Sequence, residues 1–548
     1  MFFLAKHAII YDMNKSSTRR TQNIKGTHYV FEDYPYWDTS KKQVRHKRVY
    51  IGKLDKDGEF LPNKAYQAQE KLQELQAKAE TVSPKPALRV YCGATHLLDA
   101  IAKRSGIIDD LKTAFPEDYL KLLSLAYYLV LESDSPMYRF SKWAHNHSHP
   151  LGEDIPDQRI SELFSSISEN AKMMFFENQS ARRIEKEHLV YDTTSISSYS
   201  EMINLVKRGK NKDGDPLPQI NLALVFGQDS MMPVYYRKLP GNITDTMTIR
   251  KLLKDIEFIK CKKVKLVMDR GFFSNKNLNS LFQNHHKFLI AGKRNSKFVG
   301  TLIEKVRESI KDFSNYDVEQ DVYRISTMEK WPYEEYDRDG NVILEAERRI
   351  YVHVYYNGQR AEEEKTSFIK SLADCQSAIL EGSCSDAQQT VCDKYFQVKT
   401  TPARGAKLQY NDQAIQDHIK HFGYFALLSN EIKDPSEALY VYRNKDLIEK
   451  SFGNLKNRLN MRRQLVSSSE NLEGKLFVQF IALMLVSGIH KSMKDEGLYK
   501  NYSMQKLLDD LDVIERYDFP GKKAHFSEIT KKQDALYKSL GVNPPGML

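Results

Sequence analysis

Apolar and polar positions follow a regular order between residues 186 and 300, and this order predicts an α/β unit. Five apolar runs have the length and the β-branched or aromatic content of strands: HLVYD, INLALVF, MMPVYYRKL, KVKLVMD and KFLIAGK. A helix is predicted between the third and fourth runs, because four apolar residues recur there at i, i+3, i+4 and i+7: Ile249, Leu252, Leu253 and Ile256. We expect this apolar face to pack on the sheet.

The regions on either side have different patterns, which divide the chain into modules. Residues 1–90 alternate Tyr-rich and Val-rich positions and predict a basic, partly β N-terminal module for DNA binding, or alternatively a solvated hairpin. Its basic residues are Lys41, Lys42, Arg45, Lys47, Arg48 and Lys53. Residues 91–185 have a helical pattern, and residues 301–420 mix strand-like and helical segments, as in an insertion. Residues 421–495 are expected to complete the α/β unit, and residues 496–548 to form a helical tail.

Two of the predicted strands end in an aspartate. Asp192 closes HLVYD and Asp269 closes KVKLVMD. Ligands of α/β sheets bind at the carboxyl ends of strands, so the two carboxylates are candidates for one site. Since a single aspartate at a strand end is more often a cap or a terminator, the pair needs a third partner.

A later helix provides that partner. Asp434 as N-cap, Pro435 at the first helical position and Glu437 at the third predict a helix that runs to about Leu459. At about 100° per residue, four polar residues share an arc of about 60°: Tyr442, Lys445, Glu449 and Lys456. An apolar stripe lies beside them, formed by Ile448, Phe452, Leu455 and Leu459. The stripe is expected to dock the helix on the sheet and to bring Glu449 towards the two aspartates.

This set of carboxylates indicates metal-dependent chemistry on phosphodiesters. Three carboxylates without Cys or His are hard oxygen ligands, which favour Mg²⁺ or Mn²⁺ over zinc. Two such ions about 3.5–4 Å apart activate the attacking oxygen and stabilise the leaving oxygen of an in-line displacement. The chain has no G-x-x-x-x-G-K-[ST] loop, so no nucleotide cofactor is predicted.

Composition adds a modest preference for a polyanionic partner. The 548 residues carry a formal charge of +10 and a pI of about 8.9, values that ordinary enzymes also reach. Five cysteines without C-x-x-C spacing argue against a zinc ribbon or a disulfide framework and fit a reducing cytosol. No signal peptide is predicted, and the apolar stretch from Phe477 to Ile489 is too short to span a membrane. The segment with His145, His147 and His149 is interpreted as a polar loop.

Several motifs at these residues resemble those of a known family. They are VYDTTSI around Asp192, the strand LPQINLALVF, the PGN-x-x-D turn ending at Asp245, and DRGF starting at Asp269. In these motifs the chain resembles the DDE transposases of bacterial insertion sequences, in the branch with a Tyr-Arg-Glu-Lys signature. Tyr442, Lys445, Glu449 and Lys456 have the spacing of that signature. Lys445 replaces the arginine, which keeps the charge and loses the bidentate fork for phosphate.

The resemblance implies an α/β fold with an RNase H-like catalytic core, a mixed sheet flanked by helices, interrupted by a β-rich insertion. It also implies DNA cleavage at transposon ends and strand transfer into target DNA, with Asp192, Asp269 and Glu449 as catalytic residues that bind Mg²⁺ or Mn²⁺. The expected partners are transposon-end DNA and target DNA, in a homodimeric paired-end complex. A cytoplasmic, nucleoid-associated protein without a membrane segment is expected.

Further DNA contacts are predicted from charge and from the aromatic residues. The predicted DNA-binding residues are Tyr442, Lys445, Lys456, Arg270, Trp331, Arg458, Arg462 and Arg463. Trp331 is a candidate for base stacking, worth about 1–3 kcal/mol, with a core role as the alternative. The basic residues after the helix have a second interpretation as a helix end favoured by the dipole.

Two other functions are compatible with the same motifs. One is a metal-dependent nuclease with this core, whose products are hydrolysed ends without joining. The other is a catalytically inactive DNA-binding relative, which the intact set of three carboxylates disfavours.

Overall fold

The computed structural model describes residues 18–38, 41–80, 88–133, 135–183, 187–200, 202–258, 264–336, 341–381, 383–401, 405–459, 463–464, 468–519 and 521–546. The chain divides into two compact units, residues 1–87 with 519–523 and residues 88–518 with 524–548. The first unit contains an antiparallel sheet in the order β1-β2-β3-β4 followed by one helix. Its elements are β1 (Thr18–Ile24), β2 (Thr27–Asp38), β3 (Gln43–Leu54), β4 (Phe60–Pro62) and α1 (Lys64–Glu80). These elements lie within residues 1–90, for which the sequence pattern predicts a partly β module.

The second unit begins with a short strand and a group of helices. These are β5 (Leu88–Tyr91), α2 (Gly93–Arg104), α3 (Ile107–Ala114), α4 (Tyr119–Leu131), α5 (Phe140–Ala144), α6 (Asp157–Ser166) and α7 (Glu169–Ala181). The six helices lie within residues 91–185, for which the sequence pattern predicts a helical module. Most of α4 is buried, in agreement with its nearly continuous apolar sequence.

The five predicted strands of the α/β unit all form. They are β6 (His188–Ser198), β7 (Gln219–Gly227), β8 (Pro233–Pro240), β9 (Lys265–Met268) and β10 (Lys287–Ala291), with α8 (Asp245–Phe258) before β9 and α9 (Asn275–Gln283) before β10. In space the order is β8-β7-β6-β9-β10, with β6, β9 and β10 parallel and β7 antiparallel to both neighbours. The predicted face of α8 is buried at Ile249, Leu252 and Leu253. The fold is a mixed α/β sheet with helices.

The next part of the chain is mixed and partly continues the main sheet. Its elements are α10 (Lys297–Val306), β11 (Tyr316–Asp317), β12 (Val322–Tyr336), β13 (Val342–Tyr356), α11 (Gly358–Glu381), α12 (Asp386–Tyr395), β14 (Phe396–Thr401), β15 (Gly405–Tyr410) and α13 (Asp412–Ile419). The long β12–β13 hairpin joins the sheet through β16 (Tyr424–Ser429), which pairs with both β13 and β10. Describing the insertion as β-rich is therefore wrong for its second half, where α11, α12 and α13 dominate.

The predicted final helix of the site is two helices. Asp434 accepts a hydrogen bond from the Glu437 amide and begins α14 (Pro435–Arg443), as expected, but the chain then turns into α15 (Asp446–Asn457). The amide of Lys445 donates to the Tyr442 carbonyl, and that of Ile448 to the Lys445 carbonyl. These i→i−3 bonds tighten the chain at the junction, which helical periodicity alone does not reveal.

The remaining elements are β17 (Arg463–Gln464), α16 (Ser469–Asp495), α17 (Met504–Asp512), β18 (Glu515–Asp518), β19 (His525–Phe526) and α18 (Lys531–Ser539). Among the described helices, α16 alone is long and apolar enough to cross a membrane by composition, with a mean hydropathy of 1.6 over a window that is 83% buried. It packs against α4, α6, α15 and β8. It is a core helix, as expected for its apolar centre.

Two of the three histidines in the predicted polar loop, His147 and His149, serve packing, whereas His145 is exposed. His147 stacks on Trp143 with ring centroids 4.8 Å apart, and its Nε2 lies 3.1 Å from an Asp512 carboxylate oxygen. His149 is buried, with its Nδ1 3.0 Å from the Ser124 hydroxyl. Cys92, Cys375, Cys384 and Cys392 are free thiols, and Cys261 lies outside the described residues.

Candidate active site

Asp192 and Asp269 lie next to each other because their strands are neighbours in register. Tyr191 of β6 pairs with Met268 of β9 in parallel, and each aspartate directly follows its member of this pair. Neighbouring strands are about 4.8 Å apart, so the two residues lie side by side at the carboxyl end of β9. β6 itself continues to Ser198, so Asp192 lies within its strand, whereas the sequence pattern predicts that it closes the strand.

Backbone amides and one tyrosine orient these carboxylates. Asp192 Oδ1 accepts from the Thr193 amide at 2.7 Å, and Asp269 Oδ1 accepts from the Arg270 amide at 2.7 Å. Tyr442, at the end of α14, donates its hydroxyl to Asp269 Oδ1 at 2.7 Å. These three hydrogen bonds fix the orientation of the two carboxylates.

The two aspartates have opposite pKa shifts. Burial raises the pKa of Asp192, and the nearby charge of Asp269 raises it further, against the lowering effect of Lys212. Burial also acts to raise the pKa of Asp269, but hydrogen bonding from Tyr442 and the charge of Lys445 outweigh it and lower that pKa. Their unequal surroundings therefore move the pKa values of two neighbouring carboxyl groups in opposite directions, as in many catalytic sites.

Lys445 connects Asp269 with Glu449. Its ammonium lies 3.8 Å from Asp269 Oδ2 and 3.0 Å from Glu449 Oε1, and its side chain is 18% exposed. Burial acts to lower the pKa of Lys445, but the two acids outweigh this effect and raise it. Glu449 itself is 57% exposed, so it lies at the solvent rim of the site. The structure links Glu449 to Asp269 through a cation.

A second cation, which sequence analysis did not identify, lies on the other side of Asp192. The Lys212 ammonium is 3.7 Å from Asp192 Oδ1 and 3.5 Å from Asp245 Oδ2, and it donates to the Thr193 carbonyl at 2.7 Å. The Thr193 hydroxyl donates to Asp245 Oδ1 at 2.7 Å. Asp245 was noted only as the end of the PGN-x-x-D turn. Lys212 carries no local signal, since it lies in a long polar loop between β6 and β7.

The other predicted residues are not all at this site. Lys456 makes an ion pair with Asp213 at 2.5 Å, next to Lys212 in the chain. Arg270 is exposed beside Asp269. Arg458 donates to Gln505 at 2.9 Å and is directed towards α17. Arg462 lies outside the described residues, and of Arg463 only the backbone, paired with β6, is described.

Trp331 has a core role, the alternative that the sequence left open, and it does not offer a ring face for base stacking. The side chain is 1% exposed, and its Nε1–H donates to Asn279 at 2.8 Å. The Phe298 ring packs edge-on against it at 4.9 Å. Stacking on a base requires an exposed ring face, which this tryptophan lacks.

The donor set suits a hard divalent cation in its chemistry. Asp192, Asp269 and Glu449 offer only carboxylate oxygens, which Mg²⁺ and Mn²⁺ prefer. In the part of the chain that the structure describes, no three or more His, Cys, Asp and Glu side chains converge closely enough to hold a metal ion. The positive charge between Asp269 and Glu449 is that of Lys445.

Comparison with known proteins identifies the family. A family model described as a transposase DDE domain matches residues 184–485, more than half of the chain, and this range contains all three acids. No curated protein matches the chain. A cryo-EM structure of the piggyBac transposase synaptic complex with hairpin DNA is 11% identical and covers 76% of this chain and 70% of that chain. Its TM-score of 0.30 is too low to carry an argument. On the strength of the family match, the chain belongs to the transposase DDE domain family.

Proposed function

We propose that this protein cleaves DNA at the ends of a transposon and joins those ends to target DNA, with Asp192, Asp269 and Glu449 as its catalytic residues. The observation that carries the proposal is the pairing of β6 and β9, which puts Asp192, inside β6, beside Asp269, directly after β9. Tyr442, at the end of α14, and Lys445, just before α15, connect Asp269 to the segment that leads into the helix with Glu449. Such a set of acids has the composition of a site for phosphoryl transfer.

The strand order supports an RNase H-like core. The five strands β8-β7-β6-β9-β10 combine an antiparallel meander with two parallel strands, unlike the sheet of a dinucleotide-binding fold. The first strand carries Asp192 near its centre, and Asp269 directly follows the fourth. We assign the hairpin and helices that follow α10 to an insertion between the second and third acids.

Asp192, Asp269 and Glu449 would hold one or two Mg²⁺ or Mn²⁺ ions. When bound, such ions activate the attacking oxygen and stabilise the leaving oxygen of a phosphodiester. The chain's own residues prepare this site: Tyr442 fixes the Asp269 carboxylate, and Lys445 and Lys212 balance the charge of the acids. Arg270 is exposed beside Asp269, where it can pair with a phosphate.

Tyr442, Lys445, Glu449 and Lys456 also support placement in the insertion-sequence branch with the Tyr-Arg-Glu-Lys signature. The first three are connected by hydrogen bonds and ion pairs around Asp269. Lys445 in place of arginine presents a point charge that two carboxylates share. The partners proposed on this basis are transposon-end DNA and target DNA, bound by a homodimer that pairs the ends in the bacterial cytoplasm.

The test is strand transfer with purified protein. Labelled DNA that flanks the gene is incubated with a supercoiled target and Mg²⁺, for the wild type and for Asp269→Asn and Glu449→Gln. We expect joined products from the wild type and a loss of at least about 100-fold in both variants, with DNA binding retained. Glu437→Gln, an exposed acid on α14, is the matched control and is expected to retain activity.

Each other outcome identifies a different protein. Cut ends without joining would establish the nuclease, and binding without either product would establish an inactive relative. A Glu449→Gln variant that still cuts at the normal rate would remove Glu449 from the site.

A further inference from the structure

Two cavities open beside the acids and meet at one lysine. The larger, about 740 Å³, lies between the loop after β10 and helices α12 and α13. The smaller, about 540 Å³, lies between the β6–β7 loop and the N-terminus of α8. Lys293 lines both, and the consecutive residues Arg270 and Gly271 line one each. The two cavities therefore adjoin at Lys293 and lie beside the residues that directly follow Asp269, and together we call them the Lys293 groove.

The Lys293 groove is rich in cations that lack a carboxylate partner. Lys293, Arg270, Lys210 and Lys394 line it and make no ion pair with any residue that the structure describes. The acids that line it are already neutralised, since Asp245 pairs with Lys212 and Asp417 with Lys420. The groove therefore has an excess of positive charge along its length.

The loop that carries Lys293 is held in place on both sides. Arg294 donates to a Glu364 carboxylate oxygen and to the His421 carbonyl, both at 2.8 Å, which ties the loop to α11 and to the end of α13. Gly292 is tightly packed, because a Cβ there would lie 2.7 Å from a Leu428 methyl group and 2.9 Å from one of Val299. Of two consecutive basic residues, Arg294 anchors the loop and Lys293 is left to face the groove.

We propose that the Lys293 groove binds the sugar-phosphate backbone of the DNA next to the scissile phosphate, with Lys293 as a phosphate contact shared by its two halves. The proposal rests on the proposed function, because it assumes that the DNA is cut at Asp192 and Asp269. Several cations without an acidic partner among the described residues suit a polyanion. The groove displays ammonium and guanidinium groups, which position a backbone and read no sequence.

The salt dependence of DNA binding tests this proposal without requiring cleavage. All proteins carry Asp269→Asn, and the probe is a labelled duplex of the DNA that flanks the gene, beside a scrambled duplex of equal length. The slope of log K against log salt is negative, and Lys293→Ala is expected to reduce its magnitude by about 0.9, the value of one phosphate contact. It should weaken binding equally for both duplexes, because a backbone contact carries no sequence information.

Matched variants make the result specific to the groove. Lys112→Ala removes an exposed lysine on α3 that lines neither cavity, and it should leave the slope unchanged. Lys293→Arg should keep the slope of the parent protein. The double variant with Lys293→Ala and Arg270→Ala should reduce the magnitude of the slope by the value of about two phosphate contacts. A Lys293→Ala slope equal to that of Lys112→Ala, or a loss confined to the flanking duplex, would overturn the inference.

The inference and the proposed function fail in different ways. If the wild type cuts and joins DNA while Lys293→Ala keeps the full slope, only the groove assignment is wrong. If Lys293→Ala lowers the slope while the wild type never cuts, the groove binds DNA and the proposed reaction is wrong.

Discussion

At the scale of single residues, the site is an alternating arrangement of acids and cations. Lys212 lies between Asp192 and Asp245, and Lys445 lies between Asp269 and Glu449. Each cation is held by two carboxylates, so the acids stay close together without mutual repulsion dominating. Lys212 and Lys445 together therefore balance much of the negative charge of the four acids.

Lys212→Met should lower the rate of DNA cleavage by about 10-fold or more. The substitution keeps the aliphatic chain and removes the charge next to Asp192 and the hydrogen bonds to Thr193. Single-turnover cleavage is the measurement. Lys207→Met, at an exposed lysine of the same loop, is the control, and equal rates for the two variants would show that Lys212 has no role at the site.

His353 predicts how stability depends on pH. Burial lowers its pKa to about 4 from an ordinary 6.5, with Nε2 donating to the Ile432 carbonyl at 3.1 Å and Nδ1 2.9 Å from the Ser326 hydroxyl. Below pH 6.5 His353 binds a proton in the unfolded chain, whereas in the folded protein it stays neutral until about pH 4. The free energy of unfolding should therefore fall as pH decreases through this window, by about 3 kcal/mol in total.

Urea denaturation between pH 7 and pH 4 measures this contribution. His353→Gln should be less stable than the wild type at pH 7, and the difference should shrink towards pH 4 because glutamine does not titrate. Exposed His145→Gln is the control. A constant difference between wild type and His353→Gln across the window would contradict the assignment.

At the scale of elements, the junction between α14 and α15 determines how the signature residues meet the acids. Each helix packs through its own buried side chains, which are Ala438, Leu439 and Val441 in α14 and Ile448 and Phe452 in α15. Gln228 also donates from its side chain to the Val441 carbonyl at 2.9 Å. With each helix anchored separately, the tight turn at Lys445 points that side chain at Asp269 while Glu449 stays at the rim.

Two glycines in helices should respond to alanine with opposite signs. A Cβ at Gly474 of α16 would collide with the backbone of Phe164 in α6, so Gly474→Ala should destabilise the protein by about 1–3 kcal/mol. A Cβ at Gly453 of α15 meets nothing within 4 Å, so Gly453→Ala should stabilise by about 0.5–1 kcal/mol. The urea midpoints of the two variants test the pair, and a shift in the same direction for both would contradict it.

At the scale of the whole molecule, the N-terminal unit is a separate compact body with a basic surface. Its lysines include Lys41, Lys42 and Lys53, all exposed. Because this unit is outside the matched family range, we predict that it recognises DNA ends and takes no part in the chemistry. Replacing the three lysines by glutamine should reduce the affinity ratio of end DNA to scrambled DNA and leave the cleavage rate at saturating DNA unchanged. An unchanged ratio would contradict this role.

Local pattern predicts the elements well because they depend on short-range spacing. The strands around Asp192 and Asp269, the face of α8 and the cap at Asp434 depend on residues within a turn or a strand of each other. The burial of α16 also follows from its apolar composition. Such features require no knowledge of which distant segments meet.

The amino-acid pattern alone predicts the strands around Asp192 and Asp269, the helix that begins at Asp434 and the family to which these motifs point. Four other features become visible only in the folded protein. They are the contact of Lys212 with Asp192, the burial of Trp331, the turn at Lys445, and the place of the β12–β13 hairpin in the main sheet. The two groups of features differ in the distance along the chain between the residues that interact. Periodicity and capping act over a few residues, whereas an ion pair or a buried ring depends on segments that are brought together by the packing of the whole sheet.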